Sequence, residues 1–326
     1  MNNKKAIAIG YLTNVSLGNV NASHTEGNVM VAKKVTLPDG STIPYISGQA
    51  IRRMIRDRLE DLGWQLSEPF SQVSGQEVVP PVKPWKYIDE DLFGYMDTKQ
   101  NRRRTSPVRV SSLIGLFKFH GDRDLGTRSF EKFGQAMEAG GNMFETEVYN
   151  NLFKGNILIE IDRVGFYLDL EVGKDTDTTP ENCEKIELPE EIWGKNRWAF
   201  VLNTEEKMKR LSGFHDAIKY LWGGGRTARM LVDLSPKFIA IMFLKVKHPV
   251  FLEAFKVDYE TGYRLEAKLI TEAIKRFEGR YDTVVFGLDP GFFENEGEIE
   301  ETLGELGEVM TVSEAINFAK DKLKEQ

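Results

Sequence analysis

The pattern of apolar and polar positions at residues 43–62 predicts a short strand that turns sharply into an amphipathic helix. Ser47 and Gly48 mark the turn, and Ser47 is suited to cap the helix because its hydroxyl can accept a hydrogen bond from a first-turn amide. At about 100° per residue, one side of the helix is apolar, as packing against a core requires. That side consists of Ile51, Met54, Ile55, Leu59 and Leu62.

A second side of this helix is polar and basic, within an arc of about 100°. It carries Gln49, Arg52, Arg53 and Arg56. One interpretation is a phosphate-binding surface, because a helix start offers amides and a positive dipole end that these side chains extend. The other is a solvated face on which Arg53 pairs with Asp57 and Arg56 pairs with Glu60 at i,i+4 spacing. The spacing alone leaves both interpretations open.

Elsewhere the periodicity predicts a mixed α+β protein. Strands are predicted at residues 4–13, 28–37, 42–46, 108–120, 157–161, 237–246 and 281–288. Helices are predicted at residues 203–222, 265–277 and 313–324. The coarse order of strand, helix, strand, strand, helix, strand is that of the ferredoxin-like and RRM folds, here with large insertions.

Polar stretches connect these elements. Residues 14–28 are predicted to be a polar loop, and the acidic, glycine-rich stretch after residue 288 is predicted to be another. The sequence Pro-Asp-Gly-Ser at residues 38–41 is a turn that joins two of the predicted strands into a β-hairpin.

Residues 65–107 contain five prolines and lack a long periodic segment. A stretch of this size in a compact domain is usually an insertion with a function, so we expect an excursion with a small core of its own. It ends in Arg102, Arg103 and Arg104, which are expected either to form a basic end or to lie in a flexible solvated turn.

Residues 108–152 are predicted to form a projecting arm that runs out and back. Met143 and Phe144 lie near its expected tip. These two side chains either wedge between nucleic-acid bases or pack the arm against its own neighbours.

The helix at residues 203–222 is followed by three glycines at residues 223–225 and then by Arg226 and Arg229. Such a loop lets the backbone approach a ligand closely and exposes amides beside two cations. It is not a phosphate-binding P-loop, because the Gly-Lys-Ser/Thr ending is absent. The alternative is a flexible end to the helix.

Composition predicts a soluble globular protein, since 41% of the 326 residues are hydrophobic and 29% are charged. No stretch approaches the roughly 20 apolar residues of a membrane span, and the N-terminus lacks the cleavage site of a signal peptide. The single cysteine, Cys183, excludes an intrachain disulfide and a cysteine-based zinc site. We therefore expect the protein to be located in the reducing cytoplasm.

The net charge of −7 is unevenly distributed. Residues 289–326 carry 11 acidic residues and three lysines, a net charge of −8, so the preceding 288 residues have a net charge of +1. Residues 99–128 alone have a net charge of +6. A local basic surface is what binding to nucleic acid requires, and the overall charge is a weaker guide.

Four stretches resemble one family when they are taken in order. They are IPYISGQAIRRMIR at residues 43–56, TSPVRV at 105–110, DRVG at 162–165, and GGGRTAR at 223–229 before DLSP at 233–236. On these stretches the chain resembles the DevR family of CRISPR-associated proteins, the backbone subunit of type I Cascade and a member of the RAMP superfamily. The resemblance covers most of the chain and is closest to the type I-B branch.

The resemblance implies an α+β fold made of a modified RRM/ferredoxin-like palm with an inserted fingers region and a thumb hairpin. Residues 1–64 and 155–288 would form the palm, 65–107 the fingers, 108–154 the thumb region, and 289–326 an acidic C-terminal extension. Copies of the chain would stack along one guide RNA (crRNA) with other Cascade subunits, and the guide would pair with target DNA. No cofactor, metal, catalytic residue or membrane is expected.

The resemblance also implies roles for particular residues. Ser47, Gln49, Arg52, Arg53 and Arg56 match the guide-contacting helix start, and Arg226 and Arg229 match a basic glycine-rich loop. Asn21 and His24 lie in a loop that approaches RNA in the family, and Arg109 in the second stretch is a further RNA-binding candidate. Met143 and Phe144 are the candidates for the thumb residue that displaces a base.

Two other functions remain open. A ribonuclease of the same superfamily would cut RNA bound to the filament, but residues 14–28 hold no aspartate, and Glu26 is their only acid. His24 and Tyr11 are conceivable acid–base groups for that activity. An enzyme that binds a nucleotide or a phosphorylated metabolite at residues 223–225 ranks last, because no Walker or dinucleotide fingerprint accompanies the loop.

Overall fold

The structure, a computed structural model, describes residues 4–67, 70–71, 78–128, 142–173, 176, 178–223 and 230–325. The helices in these ranges are α1 (Gly48–Asp61), α2 (Ile88–Phe93), α3 (Asp169–Val172), α4 (Glu190–Trp193), α5 (Thr204–Lys219), α6 (Ala267–Lys275), α7 (Glu296–Gly304) and α8 (Val312–Lys324). In the same ranges, no helix is long and apolar enough to span a membrane.

The strands of the first half are β1 (Ala6–Gly18), β2 (Ala22–Glu26), β3 (Val29–Ala32), β4 (Lys34–Thr36), β5 (Thr42–Ile46), β6 (Phe70–Ser71), β7 (Val78–Val79), β8 (Tyr95–Asp97), β9 (Arg102–Arg104), β10 (Val108–Val110), β11 (Leu113–Gly115), β12 (Gly121–Arg128) and β13 (Asn142–Glu160). Those of the second half are β14 (Phe166–Leu168), β15 (Cys183–Glu187), β16 (Trp198–Leu202), β17 (Phe238–Leu244), β18 (Val257–Tyr259), β19 (Tyr263–Leu265), β20 (Tyr281–Leu288) and β21 (Glu308–Thr311).

One large mixed sheet forms the body of the molecule, which confirms the predicted α+β class. Its main path runs β21-β20-β17-β1-β13-β11-β5-β4, and β2, β3, β10 and β12 pair alongside. Strand β1 lies at the centre, antiparallel to both β13 and β17. Because both faces of β1 are covered, its buried residues form an almost continuous apolar run rather than an alternating one.

Two hydrophobic cores lie on opposite faces of this sheet. Ile7, Ile9 and Tyr11 of β1 point to the core that α1, α5 and α8 cover. The intervening small residues point to the other core, which α6, α7 and the segment around Phe251 cover. Gly10 shows why they are small, since a Cβ there would lie 2.3 Å from the Cβ of Phe251. The Phe251 side chain thus packs directly on the backbone of β1.

The predicted polar loop at residues 14–28 is wrong. Strand β1 continues to Gly18, and residues 22–26 form β2 against β3. Two polar groups of this stretch have partners elsewhere in the chain, because Tyr263 donates to Asn14 Oδ1 at 3.3 Å and the Asn150 side chain donates to the Ser16 carbonyl at 2.9 Å. A polar sequence therefore stays extended.

Other sequence predictions differ in detail. The hairpin at the Pro-Asp-Gly-Ser turn is confirmed, with β4 antiparallel to β5, but the strand predicted at residues 28–37 is split between β3 and β4. The helices predicted at 203–222, 265–277 and 313–324 are present as α5, α6 and α8. The acidic stretch after residue 288 is not all loop, because it contains α7 and β21.

A buried ionic cluster ties the segment that contains α2 and β9 to the body of the protein. Arg104 is buried, and its two carboxylate partners are Asp91 at 2.9 Å and Glu171 at 2.7 Å. Three further bonds go to the backbone carbonyls of Asp91, Arg163 and Phe166. Burial disfavours the charge of Arg104, but the two carboxylates outweigh burial and raise the pKa of its guanidinium.

Asp91 also neutralises a second buried arginine. Its Oδ2 accepts from Arg210 of α5 at 2.9 Å, while its Oδ1 accepts from Arg104 and, at 3.1 Å, from the backbone amide of Gly165. Gly165 has a positive φ of 70°, which a residue with a Cβ rarely adopts. One carboxylate therefore joins α2, β9, the DRVG turn and α5.

The expectation for the arginine triplet is wrong for two of its three members. Arg104 lies in the cluster just described, and Arg102 donates to Asp97 at 2.7 Å. Arg103 alone is exposed. The β8–β9 hairpin turns these arginines back onto acidic partners, so the segment ends neither in a basic surface nor in a solvated turn.

We predict that Asp91→Asn lowers the free energy of unfolding by about 3–5 kcal/mol, because two buried arginines lose their shared countercharge. Urea denaturation measures the change. Asp57→Asn is the matched control, since Asp57 pairs with the exposed Arg53 on the surface of α1, and its cost is expected to stay within about 1 kcal/mol. Equal effects of the two substitutions would contradict the role given to Asp91.

His215 of α5 is buried, and its Nδ1 donates to the Leu211 carbonyl at 2.7 Å. Burial lowers the pKa of this imidazole below its usual 6.5. In the unfolded chain His215 therefore binds a proton near pH 6.5, whereas in the folded chain it binds one only at lower pH. Protonation favours unfolding, so the stabilising effect of the neutral ring is lost as the pH falls below that value.

We predict that acidification from pH 7.5 to 5.5 lowers the unfolding free energy of the wild type more than that of His215→Leu. The difference is expected to grow by up to about 1.4 kcal/mol per pH unit below 6.5. Urea titrations of both proteins at several pH values measure it. Parallel pH profiles would show that His215 is not kept neutral by the fold.

Candidate nucleic-acid interface

The start of α1 is built by hydrogen bonds from three separate parts of the chain. Ser47 is the predicted N-cap, and its Oγ accepts from the Ala50 amide at 3.3 Å. The Ser47 amide in turn donates to Asn21 Oδ1 at 2.9 Å, and the Gly48 amide donates to Ser112 Oγ at 3.3 Å. Two candidate residues, Asn21 and Ser47, are therefore in direct contact.

These bonds change one part of the sequence interpretation. The amides of Gly48, Ala50 and Ile51 all have partners inside the protein, so at most the Gln49 amide of the first turn remains for a ligand. A Cβ at Gly48 would lie 2.6 Å from the Val110 carbonyl, so the helix start packs closely against that backbone. The capacity to bind an anion rests on the side chains of α1.

The three candidate arginines of α1 have different surroundings. Arg53 is 75% exposed and pairs with Asp57 at 2.9 Å, as the spacing predicted. Arg56 is 35% exposed and lies 3.6 Å from Asp89 of α2 rather than beside Glu60, so that predicted pair is wrong. Helix α2 thus reaches the basic side of α1.

Arg52 is held by the backbone and the ring of one α2 residue. Its Nη2 donates to the Phe93 carbonyl at 2.6 Å, and its guanidinium lies 5.3 Å from the centre of the Phe93 ring. The Arg56 guanidinium lies 5.5 Å from the same ring centre. Two guanidiniums of like charge therefore share one aromatic ring.

This pair is poorly neutralised. Within the described ranges, no carboxylate lies within 4 Å of Arg52, and the buried Nε of Arg56 has no hydrogen-bond acceptor. Burial and the nearby Arg56 both lower the pKa of Arg52, so its positive charge is disfavoured where it stands. An incoming anion would stabilise the positive charge of Arg52. Buried Arg104 differs, because two carboxylates already stabilise its charge.

A cavity of about 300 Å³ lies beside the pair, between α1 and the segment that contains α2. Arg53, Arg56 and Tyr95 line it, together with the carboxylates of Asp89 and Glu90. Burial raises the pKa of Glu90 to about 7 although the Val82 and Lys83 amides bond to its carboxylate. The cavity therefore combines cations that can meet a phosphate with acids that oppose one.

The other candidates are more dispersed. His24 is exposed and bonds to Glu26 at 2.9 Å on β2. Arg109 is 58% exposed and pairs with Glu160 at 2.5 Å. It precedes Val110, whose carbonyl packs against Gly48. Gln49 is exposed on α1. The structure thus gathers Asn21, Ser47 and Gln49 at the helix start, and places His24 apart from them on β2.

Four candidates lie outside the described side chains. Arg226 and Arg229 fall in residues 224–229, which are not among the described ranges. Met143 and Phe144 belong to β13, opposite Thr127 and Gly126 of β12, and their backbone alone is described. Their predicted roles stay predictions.

Sequence reasoning missed Phe93 and Asp89. Both lie in the short α2 with the sequence IDEDLF, which has three acids in its first turn and no helical periodicity long enough to detect. Only the path of the chain brings α2 beside the arginines. Among the side chains that the structure describes, no three of His, Cys, Asp and Glu lie close enough together to hold a metal ion.

We predict that Asn21→Ala lowers the free energy of unfolding by about 1 kcal/mol, because the Ser47 amide loses its acceptor. Asn21→Asp is the matched control, since it keeps an acceptor oxygen and places a negative charge at a helix start. Its stability in urea is expected to match that of the wild type. Equal losses for both variants would show that the hydrogen bond does not support the helix start.

Comparison with solved structures supports the fold. A chain of a "CRISPR RNA-guided surveillance complex" matches with a TM-score of 0.58 at 14% identity, covering 97% of this chain and 99% of that one. A chain of a second such complex, described as "pre-nicking", matches with a TM-score of 0.60 at 13% identity, covering 98% and 100%. At these identities the likeness shows a shared fold alone.

Comparison by sequence identifies the family. A search of curated proteins gave no significant match. The family model described as "CRISPR-associated negative auto-regulator DevR/Csa2" matches residues 85–266, which is more than half of the chain. This region includes α2, the DRVG turn and α5, and so the whole ionic cluster around Asp91. The chain therefore belongs to the DevR/Csa2 family of CRISPR-associated proteins.

Proposed function

We propose that this chain is a crRNA-binding backbone subunit of a type I CRISPR Cascade complex, in the I-B branch. The observation that carries the proposal is the poorly neutralised pair of Arg52 and Arg56 on the polar side of α1. A half-buried guanidinium without a carboxylate is a group that a phosphate stabilises. Membership of the family and the shared fold with surveillance-complex chains support an RNA partner.

The contact that we propose is independent of sequence. Arginines that meet phosphates fix the position of a strand without reading its bases, as a subunit that serves any guide must do. A strand held by its backbone leaves its base edges free to pair with target DNA. Ser47, Gln49 and Arg53 would extend the contact along the exposed side of α1.

The sheet supports the description of a palm. In the path β17-β1-β13-β11, the first strand of the chain lies between the later two, and α1 and α5 pack on one face, as in the ferredoxin-like arrangement. We propose that residues 1–64 and 155–288 are the palm, and 65–107 the fingers. Residues 108–154 are then the thumb region, in which β12 pairs with residues 142–149 of β13, and Met143 and Phe144 are its base-displacing residues.

The remaining partners follow from this role. Copies of the chain would assemble along one guide with other Cascade subunits in the cytoplasm, and the guide would recognise DNA. Arg226, Arg229, Asn21, His24 and Arg109 would add contacts to the same RNA. We propose binding without catalysis, cofactor or metal. The acidic residues 289–326 would form a C-terminal extension, whose strand β21 adds to the sheet beside β20.

We predict that Arg52→Ala with Arg56→Ala weakens binding of single-stranded RNA by about tenfold at low salt, whatever the RNA sequence. The slope of log affinity against log salt should fall by about 1.4, since each lost phosphate contact removes about 0.7. Fluorescence anisotropy with labelled RNAs of unrelated sequence, across a salt series, measures both quantities.

The matched control removes two cations from the opposite face of the sheet. Arg264→Ala with Lys275→Ala changes the net charge by the same amount as the α1 variant. Arg264 lies on β19, shortly before α6, and Lys275 lies on α6. It should leave the binding curves almost unchanged. Identical curves for the wild type and the α1 variant would contradict the proposal, and regular cleavage products of the labelled RNA would favour the ribonuclease alternative.

A further inference from the structure

Two guanidiniums of α1, those of Arg52 and Arg56, lie against helix α2, which the sequence did not predict. Phe93 of α2 is buried and packs edge-on against Phe214 of α5, with the ring centres 6.2 Å apart. Its ring is thus fixed from behind by the core. Both Arg52 and Arg56 lie against it, and its carbonyl accepts from Arg52.

A rigid ring limits the directions that these two long side chains can take. Free arginines lose considerable rotamer entropy when they bind a phosphate, so ordering them beforehand leaves more of the interaction as affinity. A contact between a guanidinium and an aromatic face also leaves the edge N–H groups of the guanidinium able to donate. The Phe93 ring is therefore a platform that presents donors to an anion.

Asp89 also lies beside Arg56, but its negative charge opposes the binding of an anion there. Its carboxylate is buried and fixed by Ser67, whose amide and hydroxyl donate to it at 2.9 and 2.7 Å. It lies 3.6 Å from Arg56, too far for a strong hydrogen bond but near enough to attract the charge. It attracts Arg56 in the free protein and would repel a phosphate that approaches the same group.

We propose that Phe93 of α2 is a positioning residue for RNA binding, which orders Arg52 and Arg56, and that Asp89 of the same helix is a built-in competitor of the RNA phosphate. The inference rests on the proposed RNA-binding function and explains what orders the two arginines that bind the RNA. The segment that contains α2 thus sets how strongly α1 holds the backbone of the RNA.

Binding of labelled single-stranded RNA of mixed sequence, measured by anisotropy across a salt series, tests both residues. Asp89→Asn keeps an acceptor for Ser67 and removes the competing charge, so RNA should bind about threefold to tenfold more tightly at low salt. Phe93→Leu should bind about fivefold more weakly, because the platform is lost. Phe286→Leu in the opposite core is the matched control, and its binding should equal that of the wild type.

A double-mutant cycle separates positioning from general loosening of the fold. In the Arg52→Ala, Arg56→Ala background, Phe93→Leu should cause no further loss, because the side chains that it orders are gone. Full additivity in the cycle, or unchanged or weaker binding by Asp89→Asn, would overturn the inference. If the wild type itself does not bind RNA, the proposed function fails instead.

Discussion

A single buried carboxylate holds the parts of this molecule in their relative positions. Asp91 accepts from two buried arginines, Arg104 and Arg210, and from the Gly165 amide. If the segment with α2 and β9 separated from α5, Arg210 would lose its buried countercharge and keep the partly exposed Glu206, which would be costly. The TSPVRV and DRVG stretches, on which the sequence resembles the family, adjoin this cluster and have a structural explanation in it.

The same short helix links that cluster to the candidate interface. Asp91 fixes α2 to the body, while Asp89 and Phe93, on the same helix, face the arginines of α1. The buried cluster therefore determines where two positive charges stand at the surface. Arg104 and Arg52 differ in how their charges are neutralised, because the first has two carboxylates as partners and the second has none in the described part of the chain.

The sequence predicted what depends on local periodicity. Helix α1, its Ser47 cap and the strand at residues 281–288 follow from side-chain spacing within one element, and the structure confirms them. It did not predict the burial of Arg104 or the extended path of residues 14–18, because Asp91 and Tyr263 supply the partners from distant parts of the chain. An arginine looks the same in a sequence whether it meets a carboxylate in the core or water at the surface.

A high-resolution structure of the protein bound to RNA tests the central claim most directly. The account predicts a phosphate oxygen within hydrogen-bond distance of Arg52 and Arg56, with the Phe93 ring behind them and the bases turned away from α1. A structure in which another protein surface covers the start of α1, while the RNA runs elsewhere, would contradict it.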